Sequence, residues 1–159
     1  MTARKVVSLF EVQQVAASCH HFGLQIVTTN GCFDLLHVGH IRCLQAAREQ
    51  GDMLIVGLNS DASVRALKGP SRPAQPQEDR AEILAALGCV DLVVIFDETL
   101  PLAFLSAVRP NVHVKGGDYV AEDMPEYGVV TGWGGRVVIV PMTEGRSTTG
   151  IIHANAEAR

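Results

Sequence analysis

Five short apolar runs punctuate the chain, over 24–29, 53–58, 91–96, 111–115 and 135–140. The run over 53–58 is unbroken, as in a strand covered on both faces. Between the runs, apolar positions recur at helical spacing. Ser8 can cap a helix over 9–21, with Phe10, Val12, Val15, Ala16 and Cys19 on a broad apolar face and Gly23 as its stop. His20 and His21 end that helix, where cations suit the dipole, and they read as surface residues. Ile41, Leu44 and Ala47 space a second helix over 41–52, with Gly51 near its end. Further helices are expected up to about residue 67, over 77–87, over 100–108, near 127–132 and from about 148.

Strands alternating with helices predict an α/β fold: one doubly wound, Rossmann-like sheet of five parallel strands with helices on both faces. No repeat or linker divides the chain, so residues 1–159 are expected to form a single domain, with its core over about 24–152 behind an N-terminal helix. Such sheets bind ligands outside the carboxyl ends of their strands. Polar and glycine residues stand at each of those ends: Thr29 and Asn30; Asn59, Ser60 and Asp61; Asp97 and Glu98; Lys115, Gly116, Gly117 and Asp118; and the run from Gly145 to Thr149. One site is expected there.

The most informative stretch is Thr29, Asn30, Gly31, Cys32, Phe33, Asp34, Leu35, Leu36, His37, Val38, Gly39 and His40. The Asn30-Gly31 pair suits a tight turn. His37 and His40 then fall between a strand end and a helix start, where unpaired N–H groups attract anions. Gly39 between them leaves room for a ligand to approach the backbone. The stretch is neither a Walker loop nor a dinucleotide fingerprint. A zinc site would need further ligands at sensible spacing, and none is present. Cys32 sits inside the stretch, but its backbone N–H fits the chemistry better than its sulfur.

Bulk properties narrow the field. The chain has 159 residues, 47% of them hydrophobic, enough for one self-sufficient core. Its formal net charge of −4 argues against a general nucleic-acid or membrane-surface binder, though not against binding a nucleotide. No apolar run approaches a membrane span and no signal-peptide pattern opens the chain. Cys19, Cys32, Cys43 and Cys89 form no paired motif, so free thiols in the cytoplasm are expected.

Two segments could complete a phosphate site. Residues 68–76 carry three prolines, a glycine and the cations Lys68 and Arg72. This is either a solvated linker or a lid that brings charge onto phosphates. Arg80 falls in the first turn of the next helix, where a cation opposes the dipole; either it has another partner or Asp79 or Glu82 offsets it. Ser147, Thr148 and Thr149 open the last helix, either as simple caps or as donors to phosphates. Nucleotidyl transfer would use such parts. An acceptor phosphate oxygen attacks the α-phosphorus of a nucleoside triphosphate and pyrophosphate leaves. The nucleophile is already an anion, so catalysis rests on positioning, cations and Mg²⁺.

Three blocks resemble the cytidylyltransferase-like nucleotidyltransferases with their His-x-Gly-His signature. They are the string over 29–40; Lys115, Gly116, Gly117, Asp118 and Tyr119; and Gly145, Ser147, Thr148, Thr149, Ile151 and Ile152. Within that family the chain looks most like the adenylyltransferase half of bifunctional enzymes that act on heptose 1-phosphate, and it is expected to be a stand-alone heptose 1-phosphate adenylyltransferase. The resemblance implies transfer of AMP from ATP to D-glycero-β-D-manno-heptose 1-phosphate. It implies His37, His40 and Lys68 as the catalytic groups. Nucleotide binding would fall to Thr29, Asn30, Gly31, Cys32, Phe33, Gly39, Arg80, Lys115, Gly116, Thr143, Gly145, Ser147, Thr148 and Thr149. Asp34 and Asp118 are candidates for the sugar or the metal, Arg72 is a further candidate for substrate binding, and a homodimer is implied. The CTP-dependent relatives carry an Arg-Thr-Glu-Gly-Ile-Ser-Thr-Thr run, with an arginine where this chain has Met142 and an isoleucine where it has Arg146. The first change and Tyr119 lean toward ATP, while Thr143, Glu144 and Gly145 still match the CTP form. A CTP enzyme acting on a polyol phosphate is therefore the second reading, and a non-catalytic nucleotide-binding module the third.

Overall fold

The computed structural model describes residues 5–157. Ser8 opens helix α1 (Leu9–His21) through a capping box in which its hydroxyl accepts from the Glu11 N–H and Glu11 reaches back to the Ser8 N–H. Val12, Ala16 and Cys19 form the buried stripe. Phe10 does not join it. It is 70% exposed, because it lies off the narrow face that meets the sheet. His20 and His21 are exposed, as expected.

The five strands are β1 (Ile26–Gly31), β2 (Met53–Asn59), β3 (Leu92–Phe96), β4 (Val112–Gly116) and β5 (Arg136–Val140). All pair in parallel, in the order β3-β2-β1-β4-β5. The remaining helices are α2 (Val38–Arg48), α3 (Asp61–Lys68), α4 (Gln77–Ala86), α5 (Leu102–Val108), α6 (Pro125–Thr131) and α7 (Thr148–Glu157). None of the described helices is long and apolar enough to cross a membrane.

Alternation along the strands feeds two cores. Val27, Leu54, Val56 and Leu58 pack with Leu44 and Ala47 of α2 and Ala81 and Leu84 of α4. Ile26, Ile55 and Val94 face the other way, onto Val12 and Ala16 of α1, Phe104 and Leu105 of α5 and Val130 of α6. Gly57 interrupts the apolar β2 for a packing reason. A Cβ there would lie 2.9 Å from the Phe104 ring, which stacks on Phe96 with centroids 6.1 Å apart. Burying one such aromatic stabilises the fold by roughly 2 kcal/mol.

Two boundaries shift in a way that matters for function. Asn30 and Gly31 do not turn. They continue β1 in register with Gly57 and Leu58 of β2, because ladder pairing outweighs the local turn preference. Helix α2 begins at Val38 rather than near Ile41, with His37 as its N-cap, so His40 lies within the first turn. The chain leaves β1 toward β2 on one side and later returns to β4 on the other. The carboxyl ends of β1 and β4 are therefore the switch point of the sheet.

Candidate active site at the sheet switch point

A cleft of about 540 Å³ opens at that switch point. Thr29, Asn30, Gly31, Cys32, Phe33, Asp34, His37, Gly39, His40 and Lys68 line it from the β1 side. Lys115, Gly116, Thr143, Ser147, Thr148 and Thr149 line it from the β4 and α7 side. Gly145 borders an adjoining hollow shared with His37, Arg146 and Ser147.

The two histidines are built into the start of α2. His37 Nδ1 accepts the Gly39 N–H at 3.1 Å, and His40 Nδ1 accepts the His37 N–H at 3.3 Å. The pattern is a capping box made with imidazoles. Each ring spends Nδ1 as an acceptor, so in the neutral form each carries its proton on Nε2. The rings stack with centroids 3.9 Å apart. Burial lowers the pKa of His37. Burial, then the neighbouring His37 and Lys68 charges, push His40 down to about 4. At neutral pH the site thus presents two uncharged N–H donors at a helix N-terminus.

Gly39 lines the cleft and also serves the neighbouring ring. A Cβ at this position would sit 2.9 Å from Cε1 and Nδ1 of His37, so the glycine makes room for the capping imidazole. Phe33 holds φ at 43°, an uncommon conformation for a bulky residue, and its ring lies beside both Gly31 and His40. Burial pushes the Cys32 thiol up despite the nearby Lys68, Arg80 and Arg72 charges, so the sulfur stays protonated.

Four expected binding residues are placed or engaged otherwise. Arg80 is 1% exposed and does not line the cleft. Its guanidinium binds the carbonyls of Cys32, Asn59 and Gln75 and pairs with Asp61 at 2.7 Å. It ties the ends of β1 and β2 to the start of α3, which accounts for its misfit with the α4 dipole. Arg72 pairs with Asp34 at 2.7 Å, so its charge is already neutralised. Asp34 also accepts the Ala74 and Gln75 N–H groups. Burial alone would raise the Asp34 carboxyl. Those N–H groups and Arg72 outweigh it and hold the pKa below the ordinary value. Asp34 therefore fastens the 69–76 loop onto the β1 end. Asp118 is exposed and lies outside the cleft lining.

Two cations on the cleft make no ion pair with a described residue: Lys68, at the last position of α3, and Arg146, just before α7. Ser147 accepts the Gly150 N–H at 3.0 Å and so caps α7, while the Thr148 hydroxyl donates to the Leu35 carbonyl at 3.0 Å. The run is both a cap and a wall of the cleft. Lys115 donates to Asn30 Oδ1 at 3.1 Å and Glu126 Oε1 at 3.3 Å. Glu126 escaped the sequence reading, although the acidic segment that ends with it directly follows the β4 block. Tyr119, Leu67 and Leu100 also line the cleft and add apolar area to its rim.

Comparison with known proteins agrees with this geometry. Residues 28–153 match the family described as Cytidylyltransferase-like. The chain is 56% identical over 130 residues to the bifunctional protein HldE of Syntrophotalea carbinolica, covering 82% of this chain and 26% of that protein. It is 53% identical over 148 residues to the bifunctional protein HldE of Geobacter sulfurreducens, covering 93% of this chain and 30% of that protein. The chain thus spans less than a third of the length of these relatives. Among solved structures, the lipopolysaccharide core biosynthesis protein from Thermoplasma volcanium superposes with a TM-score of 0.63 at 25% identity, covering 78% of this chain and 100% of that one. A parallel five-stranded sheet, paired histidines at its switch point and a family match across all three motif blocks make one case: this chain belongs to the cytidylyltransferase-like family.

Proposed function

We propose that the chain is an adenylyltransferase that moves AMP from ATP to D-glycero-β-D-manno-heptose 1-phosphate, giving ADP-heptose and pyrophosphate. The observation that carries the transfer chemistry is the His37–His40 capping box, which fixes two Nε2–H donors beside Lys68 and the start of α7. An acceptor phosphate oxygen forms the new bond to the α-phosphorus as the bond to the β-phosphate oxygen breaks. The two imidazoles donate to the oxygens on which charge builds. Lys68 and the α7 terminus offset the charge of the leaving pyrophosphate. One such donor contributes roughly 3–4 kcal/mol in the transition state. The likeness to bifunctional HldE proteins and to a lipopolysaccharide core biosynthesis protein supports a heptose acceptor.

Mg²⁺ enters with ATP as part of the substrate. Among the described residues no three metal-ligating side chains converge to hold an ion of their own. The protein acts as a homodimer in the cytoplasm, which light scattering on the purified chain and cell fractionation test. Thr143, Glu144 and Gly145 favour a second reading, a CTP-dependent enzyme acting on glycerol 3-phosphate. Pyrophosphate release with ATP and CTP crossed against heptose 1-phosphate and glycerol 3-phosphate separates the two. Release with ATP and heptose 1-phosphate alone supports the proposal, and release with CTP transfers it to the polyol phosphates. No release with any pair overturns both.

A further inference from the structure

The Lys115–Glu126 pair is unlike the rest of the cleft. Elsewhere the lining offers imidazole N–H groups, Lys68, Arg146 and the hydroxyls of Ser147 and Thr149, all suited to phosphate, and the other lining carboxylate, Asp34, has both oxygens engaged by Arg72, Ala74 and Gln75. Glu126 places a carboxylate on the same cleft while being only 3% exposed. Its Oε1 takes Lys115, and no described residue donates to its Oε2. Lys115 has three ammonium hydrogens, and Asn30 and Glu126 accept two of them. One open acceptor and one open donor therefore stand side by side on a pair with no net charge. A phosphate gains little from a neutral pair and is repelled by the carboxylate. A sugar hydroxyl, donor and acceptor at once, matches both groups. The pair also lies apart from the phosphate-handling histidines. Helix α6 packs on the opposite face of the sheet from α2.

We propose that Glu126, with Lys115, binds a hydroxyl of a bound sugar, either of the acceptor or of the nucleotide's ribose, and that this contact selects the substrate. The inference rests on the nucleotidyl-transfer reading of the cleft. Glu126→Gln is the sharpest variant. Lys115 donates, so the new amide turns its oxygen to Lys115 and its NH₂ to the cleft, replacing an acceptor with a donor. Glu126→Asp keeps the charge but withdraws it by one methylene, and its melting temperature shows that the fold survives.

Calorimetry on the wild-type chain and both variants tests the proposal without turnover. The ligands are ATP, 2′-deoxy-ATP, 3′-deoxy-ATP, heptose 1-phosphate and heptose 1-phosphates lacking single ring hydroxyls. In the wild type, one deletion weakens binding about tenfold or more, and in Glu126→Gln that penalty largely disappears. A penalty confined to the heptose series assigns the acceptor, and one confined to deoxy-ATP assigns the ribose. Equal penalties in wild type and Glu126→Gln overturn the hydroxyl site while leaving the reaction untouched. Binding without pyrophosphate release overturns the reaction and leaves the hydroxyl comparison intact. A wild-type chain that binds neither ligand overturns both.

Discussion

The imidazoles of His37 and His40 stack at 3.9 Å, and each turns Nδ1 to a backbone N–H of the same helical turn. Structure and chemistry are therefore coupled in one motif. The hydrogen bonds that start α2 also decide which nitrogen of each ring carries the proton.

The two roles separate in a variant. Asparagine is among the best N-caps, so His37→Asn keeps the helix start and removes the Nε2–H donor. Turnover is expected to fall about 10²–10³-fold, as for loss of one charge-stabilising donor, with the melting temperature unchanged. Steady-state pyrophosphate release and a thermal melt read the two effects. Near-wild-type turnover would remove His37 from the mechanism.

Burial and the neighbouring charges depress His40 to about 4 and His113 to about 3, below the ordinary 6.5. In the window between, the unfolded chain binds more protons than the folded one, so stability is full above about pH 6.5 and declines as pH falls. His113 is fully buried against Thr28, with Nδ1 2.9 Å from the hydroxyl. Its share of the decline is about 2 kcal/mol between pH 7.5 and pH 5. Urea midpoints across that range should fall less steeply in His113→Gln than in the wild type. Parallel slopes would show that His113 is not a source of the acid sensitivity.

Much of this molecule was legible in its sequence because strand and helix periodicity act locally. All five strands and all seven helices lie close to where the apolar spacing puts them. The cleft was legible because the polar strand ends and the parallel topology together leave one place for them to meet. What stayed hidden is pairwise. Arg80 and Arg72 read as phosphate cations, and only the fold brings Asp61 and Asp34 to neutralise them. Glu126 escaped notice because its importance comes from Lys115, on another element.

Asp34 supplies a direct test of that distinction. As a sugar ligand, it could become asparagine at no cost to folding, and only the Michaelis constant for the acceptor would rise. As the buried partner of Arg72 and the anchor of the 69–76 loop, it is expected to cost about 3 kcal/mol when Asp34→Asn removes the charge. A urea denaturation midpoint distinguishes the outcomes, and an unchanged midpoint would return Asp34 to the substrate.

Gly39→Ala sets two terms of similar size against each other. Replacing glycine by alanine within a helix gains roughly 1 kcal/mol. The new Cβ would fall 2.9 Å from the His37 ring, which must swing away and give up its bond to the residue 39 N–H. Losing an N-cap interaction costs about 1 kcal/mol, so the melting temperature should barely move. Turnover should nevertheless drop at least tenfold, because the displaced imidazole no longer aims its Nε2–H with its stacked neighbour. A stable and active Gly39→Ala would show that the reaction does not need the capping position of His37. A stable but inactive one would show that the reaction requires the bare backbone at this position, as the displaced imidazole predicts.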